Sequence, residues 1–201
     1  MVENKKNPFH KTIGDFFDSL KIPGAEVRKD TACRRDCVEI DIDMIKDKEE
    51  AEKKRRSLPL FLSANKSWPN KFTEVDILML YRGKVKVIVE IEESNVKPIN
   101  ILGKFLASAL SEYYIYLDED PVSFDDSVLF IQILDSSRII EDKSKKPEQW
   151  DIIEQTINRI IPVAGSKINR YKIFYGEPKE FREEGKMREG LITHITDYIG
   201  Q

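Results

Sequence analysis

Glu74-Val75-Asp76-Ile77-Leu78-Met79-Leu80-Tyr81, then Arg82-Gly83-Lys84, then Val85-Lys86-Val87-Ile88-Val89-Glu90-Ile91-Glu92 is the stretch on which the fold turns. Two β-rich apolar runs, Val75–Tyr81 and Val85–Ile91, flank a loop containing glycine, which predicts a β-hairpin. Side chains alternate along a strand, so Val85, Val87, Val89 and Ile91 are expected on one face. Lys86, Ile88, Glu90 and Glu92 then share the other, which brings two carboxylates together where the strand ends. Glu93 points away and is left out of the set. Whether Asp76 joins depends on register. A three-residue loop pairs Tyr81 with Val85 and sets Asp76 opposite Glu90; a two-residue loop sets Asp76 opposite Val89, on the wrong face. Gly83 in the middle of the longer loop does not favour it, and a bulge near Asp76 would restore the productive register.

Clustered carboxylates in a partly buried place repel one another and shift their pKa values. A hard divalent cation relieves this, and oxygen-only ligands point to Mg²⁺ or Mn²⁺. Such an ion acidifies bound water and neutralises phosphate charge, which suits phosphodiester hydrolysis. Strand-end carboxylates more often simply face water. Against that reading, the face carrying Ile88 turns acidic directly before Pro98 opens a helix that should cover it.

Outward from the hairpin, Ile13, Phe16, Phe17 and Leu20 predict a helix over about Pro8 to Leu20, ended by Pro23-Gly24. Ala25 to Lys29 reads as a short strand. Val38, Ile40, Ile42 and Met44 alternate with Glu39, Asp41 and Asp43 as a half-buried strand, whose acidic stripe is the solvent side of an edge. A charged insertion or helix follows, around residues 45–71, with a loop from Ser63 to Lys71. After the hairpin, Ile99, Leu102, Leu106, Leu110 and Tyr113 mark an inward stripe, widened by Phe105 and Ala109. Gly103 and Ala107 are small enough to let that helix lie close on a sheet. Val128 to Leu134 is a buried central strand. Pro147 opens a helix with Trp150, Ile153, Ile157 and Ile160 inward. Arg170–Tyr175 is a strand and Lys186–Ile199 a last helix. This alternation predicts an α/β sandwich around a mixed sheet.

The chain has 201 residues with a net charge of −3, which argues against a protein that coats DNA by charge alone. Cys33 and Cys37 lack zinc-site partners, because His10 and His194 lie at opposite ends of the chain; both are read as reduced thiols. No signal peptide or membrane span is evident, so the expectation is a cytoplasmic protein without a membrane partner. No Gly-rich run ends in Gly-Lys-Ser/Thr, so no P-loop is present.

Thr73-Glu74-Val75-Asp76-Ile77-Leu78 with Val87-Ile88-Val89-Glu90-Ile91-Glu92 resembles the PD-(D/E)xK, or restriction-endonuclease-like, superfamily. The succession of helix, strand, helix and strand behind it is similar to that superfamily's core, over roughly Phe72 to Tyr175. The resemblance implies a single restriction-endonuclease-like domain over residues 1–201, of α/β class, with an acidic hairpin in a mixed sheet flanked by helices. It implies that Asp76, Glu90 and the Ile91 carbonyl bind Mg²⁺ (or Mn²⁺). Glu92 stands where the family has lysine. Either Glu92 serves as the base, as in enzymes resembling a Glu-x-Glu pattern, or a lysine reaches in from the next helix. Lys104 and Lys97 are the candidates, each of which is more often a surface residue. An acidic residue from the N-terminal helix often completes such sites: Asp15, with Asp18 close behind, or Glu52 if the charged segment is the core helix.

The expected activity is that of a Mg²⁺-dependent endonuclease acting on DNA, with Asp76, Glu90, Glu92 and Lys104 as catalytic candidates. Resembling enzymes commonly dimerise to cut both strands, so a homodimer is an option, although the sequence shows no interface. Phosphate contacts are sought at Lys53 to Arg56, Lys66, Lys71 and Lys143 to Lys146, and at Asn65-Lys66-Ser67-Trp68. The rivals are a catalytically inactive member of the fold serving as a nucleic-acid or protein-binding module, and a metal-dependent hydrolase of other phosphates.

Overall fold

The computed structural model describes residues 8–34, 57–93, 96–140 and 145–200. The strands are β1 (Ala25–Lys29), β2 (Leu58–Phe61), β3 (Lys71–Val75), β4 (Ile77–Tyr81), β5 (Lys84–Glu92), β6 (Tyr113–Tyr114), β7 (Val122–Asp135) and β8 (Ile168–Gly176). The longer helices are α1 (Pro8–Ser19), α2 (Pro98–Ala109), α3 (Lys146–Ile160) and α4 (Lys186–Ile199). All eight strands join one sheet in the order β1-β4-β5-β7-β6-β2-β3, with β8 also paired to β7. The β5–β7 and β7–β8 pairs are parallel and the others antiparallel. The expected strand Val38–Met44, the charged run to Arg56 with Glu52, and Lys143 lie outside the described residues.

Helices cover both faces of the central strands. On one face Leu78, Ile88 and Phe130 pack with Ile101 and Phe105 of α2 and Trp150 and Ile157 of α3. On the other, Ile77, Val87, Val89 and Ile131 meet Phe9, Ile13 and Phe16 of α1 and Leu191 and Ile195 of α4. The result is a mixed α/β sandwich. The Val128–Leu134 run is fully buried, as a strand covered on both faces must be.

The hairpin resolves the register question in a way neither loop alone allows. Tyr81 pairs with Lys84, so the loop is two residues long. Arg82 and Gly83 both have positive φ, 51° and 77°, the signature of a type I′ turn that matches strand twist. Alone, that turn would put Asp76 on the wrong face. However, Leu80 pairs with Val85 while Met79 pairs with Val87, leaving Lys86 as an extra bulged residue. Beyond the bulge Ile77 pairs with Val89, so Asp76 falls opposite Glu90. The three-residue loop is therefore replaced by a two-residue turn plus a bulge near the turn, not near Asp76. The bulge also moves Val85 off the face expected for it: Val85 packs with Ile88, while Val87, Val89 and Ile91 lie in the opposite cluster.

The inward stripe of α2 differs from the expectation too. Ile101, Phe105, Ser108 and Ala109 are buried, whereas Ile99, Leu102, Leu106 and Leu110 are exposed. Tyr113 belongs to β6. A Cβ on Gly103 would meet nothing within 4 Å, so this glycine does not serve a close approach to the sheet. Both faces of α2 carry apolar residues, and periodicity alone cannot choose between two apolar stripes. The difference is testable. Phe105→Ala is expected to cost about 3–5 kcal/mol of stability by opening a core cavity. Leu106→Ala should cost under about 1 kcal/mol, both read from denaturant melts.

Ile160 likewise turns outward, while Trp150, Ile153 and Ile157 of α3 are buried. Residues 57–71 contain structure not anticipated: β2, a 3₁₀ turn at Trp68–Asn70 and the start of β3. Among the described residues no helix is long and apolar enough to cross a membrane.

Candidate functional site

The site forms where β4 begins and β5 ends. Asp76 sits at the bend between β3 and β4. Its Oδ2 accepts the Ile91 N–H at 2.6 Å, standing in for a strand carbonyl beyond the end of β4. Because N–H and C=O of one strand residue face the same edge, the Ile91 carbonyl also turns toward Asp76. Glu90 lies on the α2 face and is 1% exposed. It is flanked in register by Gln132 of β7. Both β5 and β7 run parallel here, so the site occupies the carboxyl ends of adjacent parallel strands.

Lys104 reaches this group from α2. Its Nζ lies 2.9 Å from Glu90 Oε2 and 2.8 Å from Glu92 Oε1. Gln132 helps hold α2 in place: its amide donates to the Ile101 carbonyl at 3.3 Å, one turn before Lys104, and Tyr171 donates its hydroxyl to Gln132 Oε1. Among the described residues the fully buried Glu90 Oε1 has no hydrogen-bond donor. Burial, then the neighbouring Asp76 charge, push the Glu90 pKa well above the usual carboxyl value despite Lys104. Burial would lower the Lys104 ammonium, but Glu90, Asp76 and Glu92 outweigh it, and its pKa is raised. The cation in this site is therefore firmly protonated.

From the opposite face, α1 contributes His10. Its backbone N–H donates to Glu93 Oε1 at 2.7 Å, and its Nδ1 lies 3.0 Å from the same oxygen. His10 Nε2 is 3.7 Å from Asp76 Oδ1. Glu93 points to the other face, as parity predicts, and there it anchors a histidine beside Asp76. No local pattern around His10 signals this, because the contact spans 83 residues. Gly14 permits the close seat of α1, since a Cβ there would lie 1.8 Å from the Cys33 carbonyl oxygen. The acidic candidates of α1 go elsewhere: Asp18 pairs with Lys29 at 2.6 Å, and Asp15 lines a cleft with Phe181 and Arg188. Lys97 immediately precedes α2 and has no ion pair in the cluster among the described residues.

Asp30 adds a further carboxyl. Its backbone N–H donates to the Asp76 carbonyl at 2.9 Å, and its Oδ1 accepts the Cys33 N–H at 3.0 Å. Burial, then repulsion from Asp76, push its pKa up to about 6. The native state thus binds more protons than the unfolded chain between about pH 4 and 6, so stability falls as pH rises through that window. Asp30→Asn keeps the Cys33 contact and removes the charge. It is expected to stabilise the metal-free protein by on the order of 1–2 kcal/mol at pH 8, after allowing for partial exposure. The gain should vanish near pH 4, as melting curves in EDTA at both pH values would show.

Asp76, Glu92 and the Ile91 carbonyl offer oxygen ligands of the kind a hard cation takes, and Glu90 Oε1 has no hydrogen-bond donor among the described residues. Among the described residues, no three His, Cys, Asp or Glu side chains already converge as a metal-holding group. Asp76 and Glu90 form a two-carboxylate pair beside the Ile91 carbonyl. No protein-family model, curated protein or solved structure matches the chain.

Proposed function

We propose that the chain is a metal-dependent deoxyribonuclease built on a restriction-endonuclease-like core. The observation that carries this reading is the meeting of Asp76, Glu90, Glu92 and Lys104 at the carboxyl ends of β5 and β7, with the lysine supplied by α2. The order of acidic hairpin, helix, central strand, helix and strand supports it. Asp76, Glu90 and the Ile91 carbonyl would hold Mg²⁺ or Mn²⁺. When bound, the ion lowers the pKa of a water and neutralises charge on the scissile phosphate.

The chain's own groups do the rest. Glu92, less buried than Glu90 at 13% side-chain exposure, takes the proton of the attacking water. As that water's oxygen bonds to phosphorus, the P–O bond to the leaving sugar oxygen breaks and solvent water protonates that oxygen. Lys104 donates to the phosphate oxygen as negative charge grows there, which requires its ammonium to swing from the carboxylates to the phosphate. Its 33% side-chain exposure leaves it that access. Gln132 keeps α2, and so Lys104, in register with Glu90.

The inactive-module reading draws on the same contact, because Lys104 already compensates the carboxylates without a metal. Incubating the chain with plasmid, linear duplex and single-stranded DNA, with Mg²⁺, Mn²⁺ or EDTA, separates the two. Metal-dependent cleavage supports the nuclease. No cleavage, together with no calorimetric Mg²⁺ or Mn²⁺ binding, leaves only a binding module.

A further inference from the structure

Trp68 is 88% exposed. Exposing an indole to this degree forgoes much of the burial that makes tryptophan valuable, and tryptophan is enriched at interfaces. It borders a cleft of about 310 Å³ that also contains Lys66, Lys71 and Tyr116. Tyr116 lines a second cleft of about 270 Å³, together with Arg28 and Arg34. The two clefts are thus joined at one aromatic ring, with cations on either side of it.

The groups are held for display. Lys66 donates to the Leu117 carbonyl at 2.8 Å, which fixes its ammonium at the cleft wall with donors to spare. Asn70 braces the turn through Ser67 Oγ at 2.8 Å. Lys71 pairs with Glu74, so that acid is neutralised locally. Arg28 is aimed by Glu26 and Glu119. At the far end, the buried Arg34 Nε has no hydrogen-bond partner among the described residues. Arg34 as a whole is only partly buried and lines the second cleft, so its guanidinium can meet an anionic oxygen there.

Short chain connections tie both clefts to the catalytic candidates. Arg34 follows Cys33, whose N–H holds Asp30 beside Asp76. From the other end, β3 runs directly from the Trp68 turn to Asp76, a span of roughly 17 Å at strand rise. That distance falls within the few nucleotides a single-strand groove commonly covers. Planar aromatics alternating with cations suit unpaired bases linked by phosphates.

We infer that the joined clefts bind single-stranded nucleic acid, with Trp68 stacking an unpaired base and Lys66 and Arg34 holding flanking phosphates, so that the strand is led toward Asp76 and Glu90. This rests on the nuclease reading for its direction, but its test does not depend on cleavage. Trp150 is fully buried, so Trp68 supplies the tryptophan emission accessible to a ligand.

The full chain, in EDTA and low salt, is titrated with a dye-labelled oligothymidylate and with a blunt duplex of equal length. Tryptophan emission and dye anisotropy are read together. The single strand should quench Trp68 and bind more tightly than the duplex. Trp68→Ala should weaken binding on the order of 10-fold with an unchanged melting temperature, and Trp68→Phe should restore most of it. Arg34→Met should weaken binding and lower its salt dependence. Binding with unchanged emission and unaltered affinity in Trp68→Ala overturns the inference while leaving the nuclease intact. Equal binding and quenching by duplex, or no binding of either, also overturns it. Quenched single-strand binding without cleavage in Mg²⁺ or Mn²⁺ upholds the inference and removes the nuclease.

Discussion

Glu90→Gln is expected to reduce metal-dependent DNA cleavage by about 10²–10³-fold, the scale of losing one preorganised electrostatic group. The substitution keeps shape and removes charge. It should not unfold the protein, because Glu90 is buried and its ionised form is disfavoured by burial and by Asp76. In EDTA at neutral pH its melting temperature should match or exceed that of the unaltered chain. Calorimetry should show Mg²⁺ binding lost together with plasmid nicking. Wild-type nicking by a well-folded Glu90→Gln chain would sink the assignment of Glu90 to the metal.

Lys104→Ala should separate the structural role of the lysine from its chemical one. Removing the ammonium leaves Glu90 buried beside Asp76 and Glu92 without the charge that Lys104 supplies. Breaking a fully buried pair costs about 3–5 kcal/mol, and the one-third exposure of Lys104 discounts this to about 2 kcal/mol. The sign with pH follows from Glu90. Its folded pKa is raised, so the native state binds more protons than the unfolded chain as pH climbs past the usual carboxyl value. The deficit of Lys104→Ala should therefore grow with pH and shrink in acid. A divalent ion replaces the missing charge, so Mg²⁺ should raise the melting temperature of Lys104→Ala more than that of the parent. Cleavage should still fall by about 10²-fold, because the transition state loses its cationic donor. Melting temperatures indifferent to Mg²⁺ in both chains would contradict the metal reading.

Much of the fold is legible in the chain because local physics suffices there. Pro8, Pro98 and Pro147 mark helix starts, and the apolar run Val128–Leu134 marks a strand covered on both faces. β2 was silent, since all four residues of Leu58-Pro59-Leu60-Phe61 are buried and no alternation remains to read. Periodicity alone does not select the buried face of α2, because Ile99, Leu102, Leu106 and Leu110 repeat as regularly as the buried residues do. Only docking on the sheet selects Phe105 over Leu106.

The acidic site divides in the same way. Side-chain parity beyond the bulge is a backbone property, so Glu90 and Glu92 are paired by their spacing alone. Asp76 joins them through a two-residue turn and a bulge at Lys86, whose offsets cancel. Neither is encoded by a single residue preference; the packed sheet chooses the combination that buries Ile77 and Leu78 on opposite faces. Lys104 and His10 arrive from helices on opposite faces of the sheet; the resemblance offers Lys104 as one of two candidate lysines, whereas His10 carries no local signal. The carboxylates are a matter of strand periodicity, whereas the groups that neutralise, orient and anchor them depend on how two helices settle against one sheet.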